Sequence, residues 1–149
     1  MQTFLPLPHI PSAVQVLDRQ RLGKQRSEAK IILMILTGQY DGKGWTHHPV
    51  VRMWSGFETA LAVYGLETCA EWRNRGYKDS LLPYFTEQLN RLSKTQVGNM
   101  MPSWFGMEAF HASHRAALLA KNPKYYQQFG WAEKPEIAYV WPVPLKKDD

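Results

Sequence analysis

One cysteine, Cys69, stands in the whole chain, which excludes an internal disulfide and any cysteine-rich zinc site. Its neighbours follow an apolar helical pattern, so a buried, inert thiol is expected. No apolar run reaches the ~18 residues that a membrane span needs, and the start of the chain lacks the basic-then-apolar pattern of a secretory leader. No membrane partner is therefore expected, and the cytoplasm is the expected compartment. The P-loop, the dinucleotide fingerprint, the nucleophile elbow and HExxH-like spacing are all missing. Acid is scarce too: 13 Asp and Glu face 18 Lys and Arg, a net charge of +5. That balance argues for an anionic partner, with nucleic acid as the first candidate.

Aromatics, in contrast, are plentiful, with six Trp, seven Tyr and six Phe in 149 residues. Some of those rings are expected at a binding surface rather than in the core. The length suits one domain, 1–149, able to bury a core without staples.

The densest information lies in QVLDRQRLGKQRSEAK (15–30), which runs into the apolar IILMIL (31–36). Arg19, Arg21, Lys24, Arg26 and Lys30 crowd this stretch. On a helix Arg21, Lys24 and Glu28 share one face, while Arg19, Arg26 and Lys30 share the opposite one. The apolar end points all round the axis, so it is expected to be buried on every side. A single carboxylate among cations is what a site acting on a polyanion requires. The plainer alternative is a solvated Lys24–Glu28 pair, worth a few tenths of a kcal/mol.

Proline and glycine divide the remainder. Three prolines make residues 1–11 extended, Ser12 can cap a helix over 12–37, and Gly38 closes it. Gly23 in its middle would let a backbone or a ligand approach closely. A Gly-rich loop (38–48) precedes a second helix, 49–75, led by Pro49 and ended by Gly76. A short helix is expected near 80–92, a loop over 93–102, and a last helix from Ser103 to Lys121, stopped by Asn122-Pro123. The fold class is all-α, a compact bundle of three to four helices with extended N- and C-terminal segments. No repeats and no convincing strands are present.

The segment KYYQQFGW (124–131) places Tyr125, Tyr126, Phe129 and Trp131 beside Lys121 and Lys124, so bases could stack on rings while cations hold phosphates. Packing of the same rings onto the helices is the equal alternative. His111 and His114 lie three apart on one face, and His47-His48 occupy a loop. Metal ligation needs three or four convergent ligands, and no such motif occurs, so no metal is expected and the histidines are read as polar lining or phosphate contacts. His114 and Arg115 are the pair to place near DNA.

In their order and spacing, LDRQRLGKQRSEA, the helix HPVVRMWSGFETALAVYGLETCAEWRNRGY and the later MPSWFGMEAFHASHRAALLAKNPKYYQQFG resemble the pyrimidine-dimer DNA glycosylases of the phage endonuclease V type. The resemblance spans most of the chain. It implies a compact all-α enzyme, a DNA glycosylase with AP-lyase activity, working on damaged double-stranded DNA as a monomer without metal or organic cofactor. The family's nucleophile is an N-terminal α-amine that attacks C1′ of the damaged nucleotide and leaves an imine. β-Elimination, assisted by a glutamate, then cuts the strand. Carried over, Glu28 is the glutamate, Arg21 and Arg26 are phosphate contacts, and Tyr125 and Tyr126 fall at aromatic positions. Gln25 stands where the family has a second acid. Methionine is ordinarily retained before glutamine, so the Met1 amine is the expected nucleophile. Such an amine is well matched to imine formation. With an ordinary pKa of about 7.8 it leaves a few hundred times more neutral base at pH 7 than a lysine at about 10.4. The site expected is thus Met1 and Glu28 for catalysis, with Arg19, Arg21, Lys24, Arg26, His114, Arg115, Lys121, Tyr125 and Tyr126 on DNA. Two other readings are a non-catalytic binder of distorted or modified DNA and an enzyme on another nucleic acid.

Overall fold

The computed structural model describes residues 1–94 and 101–149. Seven α-helices follow in order among them: α1 (Ile10–Gln15), α2 (Arg19–Leu36), α3 (Pro49–Trp54), α4 (Glu58–Asn74), α5 (Leu82–Leu92), α6 (Glu108–Lys121) and α7 (Pro123–Tyr126), with a 3-10 turn at Gln127–Phe129. No strand occurs among the described residues, and the chain is all-α with extended ends. The loop expected over 93–102 lies mostly outside them.

Both long helices expected from the periodicity are broken in two. The first stops at Val16, and α2 restarts after Asp18, whose extended backbone (φ −67°, ψ 162°) interrupts the spiral. His9, not Ser12, caps α1, its ring nitrogen accepting the Ser12 N–H at 3.3 Å. The second breaks at Ser55–Phe57, where Gly56 takes φ +87° and its N–H is held by Glu58 Oε1 at 3.0 Å. Periodicity reads through such breaks because the pieces on either side bury apolar faces in one core. α6 starts at Glu108, five residues later than expected, after a turn in which Gly106 has φ +99°.

α4 lies between α2 and α5. The contact with α5 depends on Gly65: a Cβ there would stand 2.1 Å from the buried Phe85 ring. Gly23 serves α4 similarly, since a Cβ there would meet the Trp72 ring at 3.1 Å. The close approach expected at Gly23 is thus made by a side chain. The apolar end of α2 is only partly enclosed, with Ile32 and Leu33 buried and Ile31, Met34, Ile35 and Leu36 half-buried. Cys69 is buried, and burial with the nearby Asp79 carboxylate pushes its thiol up to about 12. It is inert at neutral pH.

The first residues of the chain do not lie on the surface. Gln2 through Pro6 are buried and extended, passing between α2, α4 and α6. With no strand to pair with, their polar backbone groups must be met by side chains.

Candidate active site

Those side chains come from four helices and build a cage for the segment. From α2, Gln25 Oε1 accepts the Phe4 N–H at 2.7 Å, and its Nε2 donates to the Gln2 carbonyl at 2.9 Å. From α4, the Tyr64 hydroxyl lies 2.9 Å from the Phe4 carbonyl and 2.6 Å from Gln25 Oε1. From α3, Trp54 Nε1 donates to the Thr3 hydroxyl at 3.0 Å. From α6, His114 Nδ1 accepts the Leu5 N–H at 2.9 Å, His111 Nδ1 meets the Leu5 carbonyl at 2.7 Å, and Arg115 donates to the Pro6 carbonyl at 2.8 Å.

The two histidines have opposite tautomers. His111 Nε2 accepts the Gly106 N–H, so its proton is on Nδ1 and is donated to Leu5. His114 accepts on Nδ1 and carries its proton on Nε2. Burial, with His111 beside it, pushes the fully buried His114 down to about 3, and burial likewise lowers His111. Both rings are neutral at physiological pH, and both are fully buried.

The cage delivers the chain start to a cleft of about 290 Å³, lined by Met1, Arg21, Lys24, Glu28, Lys121 and Tyr139 among others. The Gln2 backbone N–H donates to Glu28 Oε2 at 3.2 Å, and Gln25 Nε2 donates to the same oxygen at 3.2 Å. Among the described residues Glu28 Oε1 receives no hydrogen bond, so one carboxylate oxygen is anchored and the other is open. Since successive backbone nitrogens are under about 4 Å apart, the Met1 nitrogen sits within about 7 Å of Oε2. Lys24 and Glu28 form no ion pair among the described residues, so the surface-pair alternative does not describe this face. Arg21 is steadied by Asp18 at 3.1 Å, and Asp18 is in turn fixed by the Tyr126 hydroxyl at 2.6 Å. Tyr139 borders the acid: burial, then the Glu28 charge, pushes its phenol up to about 12.

Five of the expected site residues therefore meet here: Met1, Arg21, Lys24, Glu28 and Lys121. A second groove, about 710 Å³, adjoins through Gln20 and Lys24 and holds Arg19, Trp72 and Tyr125. The other four are engaged elsewhere. Arg26 Nε donates to the buried Asp79 at 2.8 Å and its guanidinium covers the Trp72 ring at 4.9 Å. His114 is fully buried, Arg115 pairs with Glu108 and with Glu133 (2.6 Å), and Tyr126 is buried against Asp18. Phosphate contact is the sequence expectation for Arg26, His114 and Arg115; the structure pairs the two arginines with carboxylates and buries the His114 ring, whose Nε2 has no hydrogen-bond partner among the described residues. Gln25, which stands where the family has a second acid, is the buried polar centre of this cage, a place that charge alone does not single out. Its signal is that of a polar residue on the buried stripe Leu22, Gln25, Ala29, Ile32. Among the described residues, no three His, Cys, Asp or Glu side chains converge as a metal site would require.

A family model for pyrimidine dimer DNA glycosylases matches residues 1–82, more than half of the chain. The chain belongs to the pyrimidine dimer DNA glycosylase family. Searches of curated proteins and of solved structures return no match. The matched span holds α1 to α4, the caged N-terminal segment and the Glu28 face of the cleft. Lys121 and Tyr139, which line the same cleft, and Tyr125 of the adjoining groove lie beyond it. As a member of a DNA glycosylase family this protein is a DNA repair enzyme, and its substrate is DNA. No helix among the described residues is long and apolar enough to cross a membrane.

Proposed function

We propose that this glycosylase removes damaged bases, pyrimidine dimers first among them, and then cuts the strand as an AP lyase, using the Met1 α-amine as nucleophile and Glu28 as its assisting acid. The observation that carries the reading is the shared cleft: Met1 and Glu28 line it together, with the Gln2 N–H on Glu28 Oε2.

The chemistry follows from that pairing. The neutral amine attacks C1′ as the C1′–N glycosidic bond breaks, and the base departs with the bonding electrons. Glu28 assists ring opening by proton transfer to O4′, which leaves a protonated imine between Met1 and C1′. Loss of a C2′ proton then expels the 3′ phosphate by β-elimination, and water releases the amine. Arg21, Lys24 and Lys121 supply phosphate contacts around the cleft, with Arg19 continuing the track into the adjoining groove, where Tyr125 offers a ring. Lesion choice comes from distortion, because a damaged stack costs less to bend and open. The enzyme is proposed to act as a cytoplasmic monomer on lesion-bearing duplex, and Arg26, Arg115, His114 and Tyr126 to serve it from inside the fold.

Borohydride trapping tests the reading on a sample whose free Met1 has been confirmed by intact mass. Abasic-site duplex should give one covalent adduct, mapping to residue 1. A free N-terminus with no trapped band defeats the lyase mechanism. Salt-dependent binding without cleavage of any lesion would instead mark a binder of distorted DNA, and preference for RNA an enzyme on another nucleic acid.

A further inference from the structure

Gln25 is almost fully buried, yet its amide makes four contacts that link three parts of the molecule. The oxygen is taken by the Phe4 N–H at 2.7 Å and the Tyr64 hydroxyl at 2.6 Å, both of them donors. That fixes the amide's orientation. The nitrogen must face outward, where it meets two acceptors, the Gln2 carbonyl at 2.9 Å and Glu28 Oε2 at 3.2 Å. The Gln2 N–H then returns to the same Glu28 oxygen and closes a ring of contacts through Gln2, Gln25 and Glu28.

We infer that Gln25 is the positioning residue of this site, the one side chain that sets the chain start and the Glu28 carboxylate in a common frame. The inference rests on the Met1/Glu28 reading and extends it to a residue that never touches substrate. An amide is required because two acceptors wait on one side and two donors on the other. Leucine would match the shape but take the amide from the buried Phe4 N–H and Gln2 carbonyl, and leave the Tyr64 hydroxyl with only the Phe4 carbonyl and Glu28 Oε2 with only the Gln2 N–H. Glutamate would keep the inner acceptor but turn a second acceptor toward Gln2 and Glu28, and only its protonated form could replace the amide donor. The charged and titratable groups around it are Glu28, Arg21 and Lys24 on α2, Tyr64 on α4, Lys121 on α6, Tyr139 of the C-terminal segment and the Met1 amine.

The test compares Gln25→Leu and Gln25→Glu with the unaltered protein in single-turnover borohydride trapping on abasic-site duplex, from pH 8 to 5.5. Misplacement of reacting groups by a fraction of an ångström to 1 Å should slow Gln25→Leu about 10- to 100-fold at every pH, with the Kd for the duplex within about threefold. Gln25→Glu should be as slow at pH 8, and its rate relative to the unaltered protein should climb as pH falls and the new carboxyl gains a proton. A leucine variant at full speed, or a glutamate variant whose relative rate ignores pH, overturns the inference. Hydrogen exchange at the Gln2 and Phe4 amides, corrected for intrinsic pH dependence, separates this from failure of the enzymatic reading. Protection lost in Gln25→Leu and regained by Gln25→Glu at low pH supports positioning even where no adduct forms with the unaltered protein. Unchanged protection in both variants rejects it, and the same exchange measurement shows whether either variant has failed to fold.

Discussion

His114, in the middle of α6, accepts the Leu5 amide hydrogen at 2.9 Å across 109 residues of chain. The bond exists only for a neutral ring. Protonation would put an N–H on Nδ1, facing the N–H it now receives. The folded ring titrates at about 3 against the ordinary 6.5, so between these values the unfolded chain holds the extra proton. Its stabilising contribution is complete above pH 6.5 and is lost as pH falls toward 3. Stability should decline by up to about 1.4 kcal/mol per pH unit from this group alone. Urea unfolding at pH 7.5, 6 and 5 keeps clear of most carboxylates and reads the slope. His114→Gln retains an acceptor that does not titrate, and should flatten it; an equal slope in the variant would assign the acid sensitivity elsewhere.

Glu28→Gln separates binding from chemistry. The amide keeps the size of the side chain and can still accept the Gln2 N–H through its oxygen, but it cannot shuttle a proton. Loss of general acid–base assistance should lower the trapping rate by about 10²- to 10⁴-fold while duplex affinity holds within a few-fold. Near-normal trapping would remove Glu28 from the mechanism.

Arg21, Lys24 and Lys121 converge on the cleft, so each should contribute to the salt dependence of DNA binding. Replacing Lys24 or Lys121 by alanine should reduce the slope of log K against log salt by about 0.9 for each phosphate no longer neutralised. Titrations at four salt concentrations check this, and an unaltered slope for both would place the DNA on another face.

How much of this could be read from the chain depends on the length scale of each feature. The cleft's α2 wall is local: Arg21, Lys24 and Glu28 are set by the helical repeat within one segment, and the helix realises that spacing. The all-α class is equally local. What periodicity could not convey is where a helix stops without losing its face, as at Asp18 and Gly56. Nor could it show that His111, His114 and Arg115 serve the backbone of residues 5 and 6. Those bonds span more than a hundred residues, and a histidine that satisfies a buried peptide carries the same letter as one that meets a phosphate.

Gly65 is a second place where distant packing decides the residue. A Cβ there would overlap the Phe85 ring, which is fully buried and has nowhere to retreat. Gly65→Ala should therefore cost about 1–3 kcal/mol through overpacking, despite alanine's better helix propensity. Thermal denaturation measures it, and a gain in stability would mean that α5 shifts freely on α4.

Arg26 looks, by composition alone, like one more phosphate contact in a basic helix. Its partner Asp79 has a fully buried carboxylate that also accepts the Leu81 and Leu82 N–H groups at the start of α5. Burial would raise Asp79, but the Arg26 guanidinium and those backbone donors outweigh it and hold the acid below its ordinary range. Removing the arginine leaves the buried carboxylate with only the half-exposed Arg73, whose Nε lies 3.4 Å from Asp79 Oδ2, so Arg26→Ala should destabilise the fold by about 3 kcal/mol, the low end for a broken buried pair. The double replacement of Arg26 and Asp79 by apolar residues of similar size should recover much of that loss, since no buried charge is then left unpaired and the half-exposed Arg73 can turn to solvent. Neither change should alter the salt slope of DNA binding at temperatures where the variant is folded. A reduced slope with unchanged stability would reverse the assignment and put Arg26 on the phosphates.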